Sequence, residues 1–419
     1  MVSTSSSTTN RVLRAASPEN NAQFAFFFFC IWAFVLLARP QDLFPVLVPL
    51  RPALTTGVLA LGVVVLQSRF LPGPPLFHER QLKYYTALFV VMILGIPFAL
   101  HRGVAFDAVF TGYINVILFV FVFYKITASV RRLSRVILIS VLGAGLYASY
   151  ALMSFVPGTE RLSFASMYDP NDLAFFALSL LPLNLVFISR ENSWWIRLAC
   201  GFCFCMSILL ILYSGSRGGI IAFGVVVVLL LLRKSRTISF SLKAVFVAVF
   251  LTFIAFSDVD TERYTTIMTI EDDYNIHDET GRLAIWQIGL RALRDNPFTG
   301  VGVGSYSRAV GMDRQERGEI PRWQSPHNSV IQIGTETGIF GLALFLLLSF
   351  NVIRILNRVK NNSSQERLVK IAETGMLGFV GLFIAGLFLS HAYSIYWAYY
   401  VALSAILNQS LVQESSRHE

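Results

Sequence analysis

Apolar runs long enough to cross a bilayer follow one another along nearly the whole chain, separated by short connectors that carry the charges. A spanning helix needs about 20 mostly apolar residues. The runs predict twelve such helices, at roughly 23–38, 46–66, 84–100, 104–124, 133–155, 170–189, 194–212, 218–232, 239–256, 329–353, 371–389 and 391–408. The pattern is interrupted once, over 257–326, where 12 acidic and 8 basic side chains gather. The fold class this predicts is an all-α polytopic membrane protein of about 12 transmembrane helices. Its parts are a Ser/Thr-rich, disordered cytoplasmic tail over 1–22, helices one to nine within 23–256, a long loop over 257–326, helices ten to twelve within 327–408, and a second tail over 409–419.

Composition supports the class and charge orients it. The chain is 55% hydrophobic and 14% charged, with a mean hydropathy of +0.60. That is too few charges to cover a soluble body of 419 residues. A net charge of +9 would suggest nucleic acid in a soluble protein. Here the cations sit in connectors, so membrane topology explains them and no nucleic-acid partner is expected. With the N-terminus in the cytoplasm, 21 of the 34 Lys and Arg fall on that side and five in the short loops opposite. Both termini are then cytoplasmic and the long loop faces the exterior. The four cysteines, Cys30, Cys200, Cys203 and Cys205, lie within predicted spans and read as small core residues.

The long loop and its neighbours hold the candidate chemistry. Residues 280–296 read as an amphipathic helix that lies along the membrane interface or caps the bundle, because Leu283, Trp286, Leu290 and Leu293 recur at 3-4-3 spacing and Pro297 ends the run. The run Gly300-Val-Gly302-Val-Gly304 has the wrong spacing for a nucleotide loop. It reads either as a tight turn needing positive φ or as a nest of amides for a phosphate or glycan. The run Glu271-Asp272-Asp273 reads as a solvated acidic patch. His327 stands where a polar loop becomes an apolar helix, in Trp323-Gln-Ser-Pro-His327-Asn328. It could cap that helix, ligate a metal or accept a proton, but His101, His277 and His391 show no ligand spacing to it, which leaves metal aside. Three arginines share its side of the membrane: Arg217 in Tyr213-Ser-Gly-Ser-Arg217-Gly-Gly, Arg282 at the head of the amphipathic stretch, and Arg161 upstream of Asp169-Pro170-Asn171-Asp172. Guanidinium forks bind phosphate oxygens in pairs and keep their charge.

Three segments together resemble the O-antigen ligase/polymerase family, the Wzy_C-type, WaaL-like membrane glycosyltransferases. They are the Arg217-Gly-Gly loop, Gly281-Arg282 through Trp286 to Gly304, and Pro326-His327-Asn328 leading to Glu336, Gly338 and Gly341. The resemblance covers about 160–350 and implies a GT-C-like bundle in a bacterial inner membrane, with its active site in the periplasmic loop region. It implies transfer of a glycan en bloc from undecaprenyl diphosphate to an acceptor hydroxyl, on lipid A-core or on a growing glycan, with no cofactor, nucleotide sugar or metal. Carried over, His327 is the catalytic base, Arg217 and Arg282 hold the diphosphate, and Arg161 adds a contact to it. Glu336, Asn328, Asn171 and Gly302 support. Displacement at the anomeric carbon would invert its configuration. A polymerase of the same family and a polytopic transporter of glycan or solute are the alternatives. Ionisable groups gathered at one face speak against the transporter.

Overall fold

The computed structural model describes residues 22–71, 75–127, 129–155, 161–164, 169–232, 235, 243, 247, 248 and 281–416. It shows an all-α, polytopic membrane protein. Among the described residues, seven helices are long and apolar enough to cross a bilayer. These are α3 (Arg80–Phe98), α4 (Arg102–Ile126), α5 (Val130–Met153), α6 (Pro170–Ile188), α7 (Trp194–Tyr213), α11 (Ser329–Asn362) and α12 (Glu366–Gly386). Three shorter apolar helices are α1 (Gln23–Ala38), α2 (Pro52–Leu66) and α8 (Arg217–Leu232). In the former loop lie α9 (Arg282–Asp295) and α10 (Tyr306–Glu316), and α13 (Ile395–Ser415) closes the chain.

Eleven of the twelve expected spans thus coincide with helices. The ninth, 239–256, lies outside the described residues apart from 243, 247 and 248, as do the Glu271–Asp273 run and His277. The second span is shorter than its apolar run. Pro45–Leu50 forms a 3-10 turn, and Arg51, at φ 44, breaks the chain before Pro52 starts α2. Helix α10 was not expected, since its sequence YSRAVGMDRQE has little apolar periodicity. The outer faces suit lipid rather than water: Leu66, Met153 and Leu232 are 82%, 85% and 79% exposed.

At the centre stand α6, α12 and α13, buried along most of their length. Close approach is the reason, as expected where helices pack through small residues. A Cβ on Gly378 of α12 would meet the Tyr400 hydroxyl of α13 at 2.0 Å, and that hydroxyl donates to the Ser179 carbonyl of α6 at 2.6 Å. Elsewhere Cys203 fills the surface notch of Gly145, joining α7 to α5, as suits a small core residue.

Helix α11 is broken near its N-terminal end. Gly338 has φ 71 and ψ −172, so the carbonyls of Thr335 and Glu336 lose their usual helical donors. The glycine-rich loop supplies new ones: the Val301 and Gly302 amides donate to them at 2.9 and 3.0 Å. In return the Ile339 amide donates to the Pro297 carbonyl at 2.8 Å. The loop is thereby stitched into the helix. Gly300, Gly302 and Gly304 all have positive φ, which is the turn reading of the sequence, and their amides serve the protein's own acceptors.

Candidate functional site

Helices α6, α8, α9 and α11 bring their N-terminal ends to one end of the bundle, and the connector 387–394 runs between them. The Arg217-Gly-Gly motif explains the approach of α8. A Cβ on Gly218 would sit 2.6 Å from Phe388, and one on Gly219 would sit 2.5 Å from Ala174 of α6. Only glycines let α8 begin against both. Each helix start carries partial positive charge, although side chains cap first-turn amides of α6, α8 and α11, so their convergence favours an anionic ligand through the helix dipoles.

His327 sits at the end of the linker before α11. Asn328 caps the helix, its side-chain oxygen accepting from the Val330 and Ile331 amides at 3.0 and 3.1 Å. Having a neighbour do the capping frees the histidine side chain from that task. The backbone of His327 is left-handed, at φ 46, which costs about 1–2 kcal/mol for a residue with a Cβ. Two hydrogen bonds hold the turn. The His327 amide donates to Ser390 Oγ at 2.9 Å, and the Trp286 indole N–H donates to the Pro326 carbonyl at 2.6 Å. Trp286 lies one turn beyond Arg282 on α9, so the same helix start supplies a guanidinium whose charge acts on the imidazole. Burial and Arg282 push the His327 pKa below the ordinary histidine value, while Asp169 and Asp172 oppose them. The net shift favours the neutral ring, the form that accepts a proton.

Arg161 and Asn171, both expected at the site, meet each other. Arg161 donates through Nη2 to Asn171 Oδ1 at 2.9 Å and through Nε to the Ser214 carbonyl at 3.0 Å. It braces the loop before Arg217 against α6. Glu336 is buried and turned away from His327. It accepts from the Tyr306 amide at 3.1 Å, the Gly304 amide and the Tyr393 hydroxyl at 2.7 Å. An amide nest exists, then, and an internal carboxylate occupies it. Gly302 acts through its bond to the Glu336 carbonyl, within the stitch.

The amphipathic stretch differs in orientation from its simplest reading. Ile285, Ile288 and Gly289 face the protein, packed on Tyr306, Val310 and Ile331, while Leu283 and Leu290 of the 3-4-3 stripe are 38% and 54% exposed. Helix α9 is apolar on two sides, one packed on protein and the other partly exposed. On its polar side Arg291 pairs with Asp313 of α10 at 3.1 Å.

One pair at the site escaped the sequence reading. His391 Nε2 lies 2.7 Å from Asp172 Oδ1, and the imidazole stacks on Phe175 with centroids 4.9 Å apart. The partners are 219 residues apart in sequence, and no local motif joins them. Asp169-Pro170-Asn171-Asp172 did carry one signal, an acidic N-cap sequence facing a cluster of cations; Asp169 and Asp172 form a capping box there.

Comparison with known proteins finds matches over part of the chain. Residues 201–346 match a family described as O-antigen ligase (Wzy_C). A Rickettsia felis protein named "Putative polysaccharide ligase" is 27% identical over 124 residues. Two further rickettsial proteins so described, from Rickettsia conorii and Rickettsia typhi, are 27% identical over 123 and 121 residues. Each match covers 28% of this chain and 28% of the relative, so the chain matches little more than a quarter of these relatives' length.

Proposed function

We propose, from the O-antigen ligase domain that residues 201–346 carry, that this membrane protein is a glycosyltransferase of surface-polysaccharide assembly. It transfers a glycan en bloc from undecaprenyl diphosphate to an acceptor hydroxyl at the periplasmic face of the inner membrane. The observation that carries the reading is a half-buried His327, held in a left-handed turn where four helix starts converge, with the Arg282 charge acting on its ring. The acceptor oxygen attacks the anomeric carbon, and His327 takes its proton as the new bond forms. The old bond to the diphosphate oxygen breaks and its electron pair leaves with the diphosphate. Attack from the face opposite the leaving group inverts the configuration. Arg217 and Arg282 hold the diphosphate and offset its charge, and converging helix dipoles add to them. Arg161 and Asn171 place the Arg217 loop.

The test uses membrane vesicles with a defined single-repeat lipid-diphosphate donor. One-step capping of a separate acceptor is expected of a ligase; a ladder of lengths would instead make the enzyme a polymerase. In the same assay Arg217→Ala should raise the donor KM by roughly 10- to 100-fold, the worth of one charge-assisted contact of about 1.5–3 kcal/mol. An unchanged donor dependence would remove Arg217 from the diphosphate site.

Arg282 also makes a pH prediction. Burial of the ring and then the charge of Arg282 hold the His327 imidazole below the ordinary histidine value, so the acid limb of the pH–rate profile should lie below that value too. In Arg282→Gln the residual activity should show this limb displaced upward, because imidazolium is no longer opposed by a neighbouring cation. A limb that stays in place would separate Arg282 from the titrating group.

A further inference from the structure

The mechanism above leaves the Asp172–His391 pair unused, although it lies beside His327. The two segments that carry the histidines are clasped reciprocally. The His327 amide donates to Ser390 Oγ at 2.9 Å, and the His391 amide donates to Ser329 Oγ at 3.1 Å. The next amide along, Ala392, donates to Gln332 Oε1 at 3.1 Å. Residues 390–392 are therefore laid along the first turn of α11. What ties them to α6 is the Asp172–His391 bond, with Phe175, one turn along α6, stacked against the ring. Trp397 reinforces the segment from α13, its indole N–H donating to the His391 carbonyl at 2.8 Å.

This matters because His327 is held in a conformation it would otherwise leave. A left-handed residue relaxes when its restraints go, and the restraint on its amide is Ser390, next in sequence to His391. We propose that Asp172 and His391 are a positioning pair for His327, pinning the 390–392 segment against α6 so that this segment fixes the base's backbone and thereby its ring. Asp172 also acts through space. With Asp169 on the same helix it opposes the effect of Arg282 of α9 on the imidazole. One carboxylate thus supports both the place of the base and its strength, as partners behind an active-site histidine do elsewhere. The inference rests on the reading of His327 as the base.

The test follows vesicle transfer by wild type, Asp172→Asn, His391→Gln and His391→Ala across the acid range. Asp172→Asn should lower kcat about 10-fold or more, the scale of a slightly misplaced catalytic group, with the donor KM unchanged. Its acid limb should move to lower pH, opposite to Arg282→Gln, because the charge that favours imidazolium is gone. His391→Gln, which keeps a hydrogen-bond donor for Asp172, should recover much of the kcat lost in His391→Ala. A merely structural lesion would reduce the amount of active enzyme without moving the limb. An unmoved limb in Asp172→Asn, or a wild-type kcat in His391→Ala, would overturn the proposal. Should Asp172→Asn fail to insert, Ser390→Ala removes the acceptor of the His327 amide directly, and an unchanged kcat there would overturn it equally. Failure of the underlying reading looks different: wild type itself would then show no His327-dependent transfer.

Discussion

Transfer by the His327→Ala variant is expected to fall by about 100- to 10,000-fold, the usual contribution of a positioned general base, with the protein inserted and folded as before. The imidazole is half-buried, and Asn328 rather than His327 caps α11, so removing the ring takes away no structural bond among those described. The amide that bonds Ser390 belongs to the backbone and survives the substitution. Alanine enters the left-handed region somewhat less readily than histidine, but the backbone bonds that hold φ 46 remain, so the turn should persist. Donor binding should also persist, because the arginines remain. Measured against vesicles with saturating donor and acceptor, the loss should appear in kcat. Product formation near the wild-type rate would end the assignment of His327 as the base, and a large rise in donor KM would make it a binding residue instead.

The second large effect is expected at Gly338. Its φ of 71 favours glycine, and a Cβ there would stand 2.6 Å from the Phe298 carbonyl oxygen and 2.7 Å from that of Pro297. Gly338→Ala must either displace that backbone or straighten the helix. Straightening breaks the Val301–Thr335, Gly302–Glu336 and Ile339–Pro297 bonds. Straightening forfeits those three bonds at about 1 kcal/mol each, whereas keeping the break puts a Cβ into a conformation essentially confined to glycine, at about 1–3 kcal/mol besides the displaced backbone, so by either route the destabilisation should be about 3 kcal/mol. Thermal unfolding of the purified protein in detergent measures this, and transfer activity should fall with it. Gly62→Ala is the control, since nothing lies within 4 Å of a Cβ there. Equal unfolding temperatures for the two variants would show that the break in α11 tolerates a side chain.

Much of this molecule was legible as a pattern. Spanning helices announce themselves because lipid asks only for length and apolarity, so α3 to α7 could be read from composition alone. His327, Arg217 and Arg282 were legible through short motifs whose glycines and proline have local causes, such as the contact of Gly218 with Phe388. The rest depended on tertiary proximity. Asp172 and His391 belong to different helices' ends, and each alone looks like an ordinary surface group. Helix α10 owes its existence to packing of Tyr306 and Val310 on α9 and to the Arg291–Asp313 pair. Those forces leave little periodic trace in eleven mostly polar residues. The stripe on α9 was seen correctly as apolar, but periodicity cannot say which of two apolar sides meets protein.

The broken helix has a consequence for how the chain is made. Carbonyls released inside a membrane-spanning helix would be costly to leave unpaired in lipid, where water cannot serve them. Their partners, Val301 and Gly302, precede Thr335 and Glu336 in the chain. Synthesis therefore delivers the donors before the acceptors, and α9 with its trailing loop has left the ribosome by the time α11 follows. The helix can enter the bilayer already provided for, so the order of residues along the gene is itself part of what makes the break affordable.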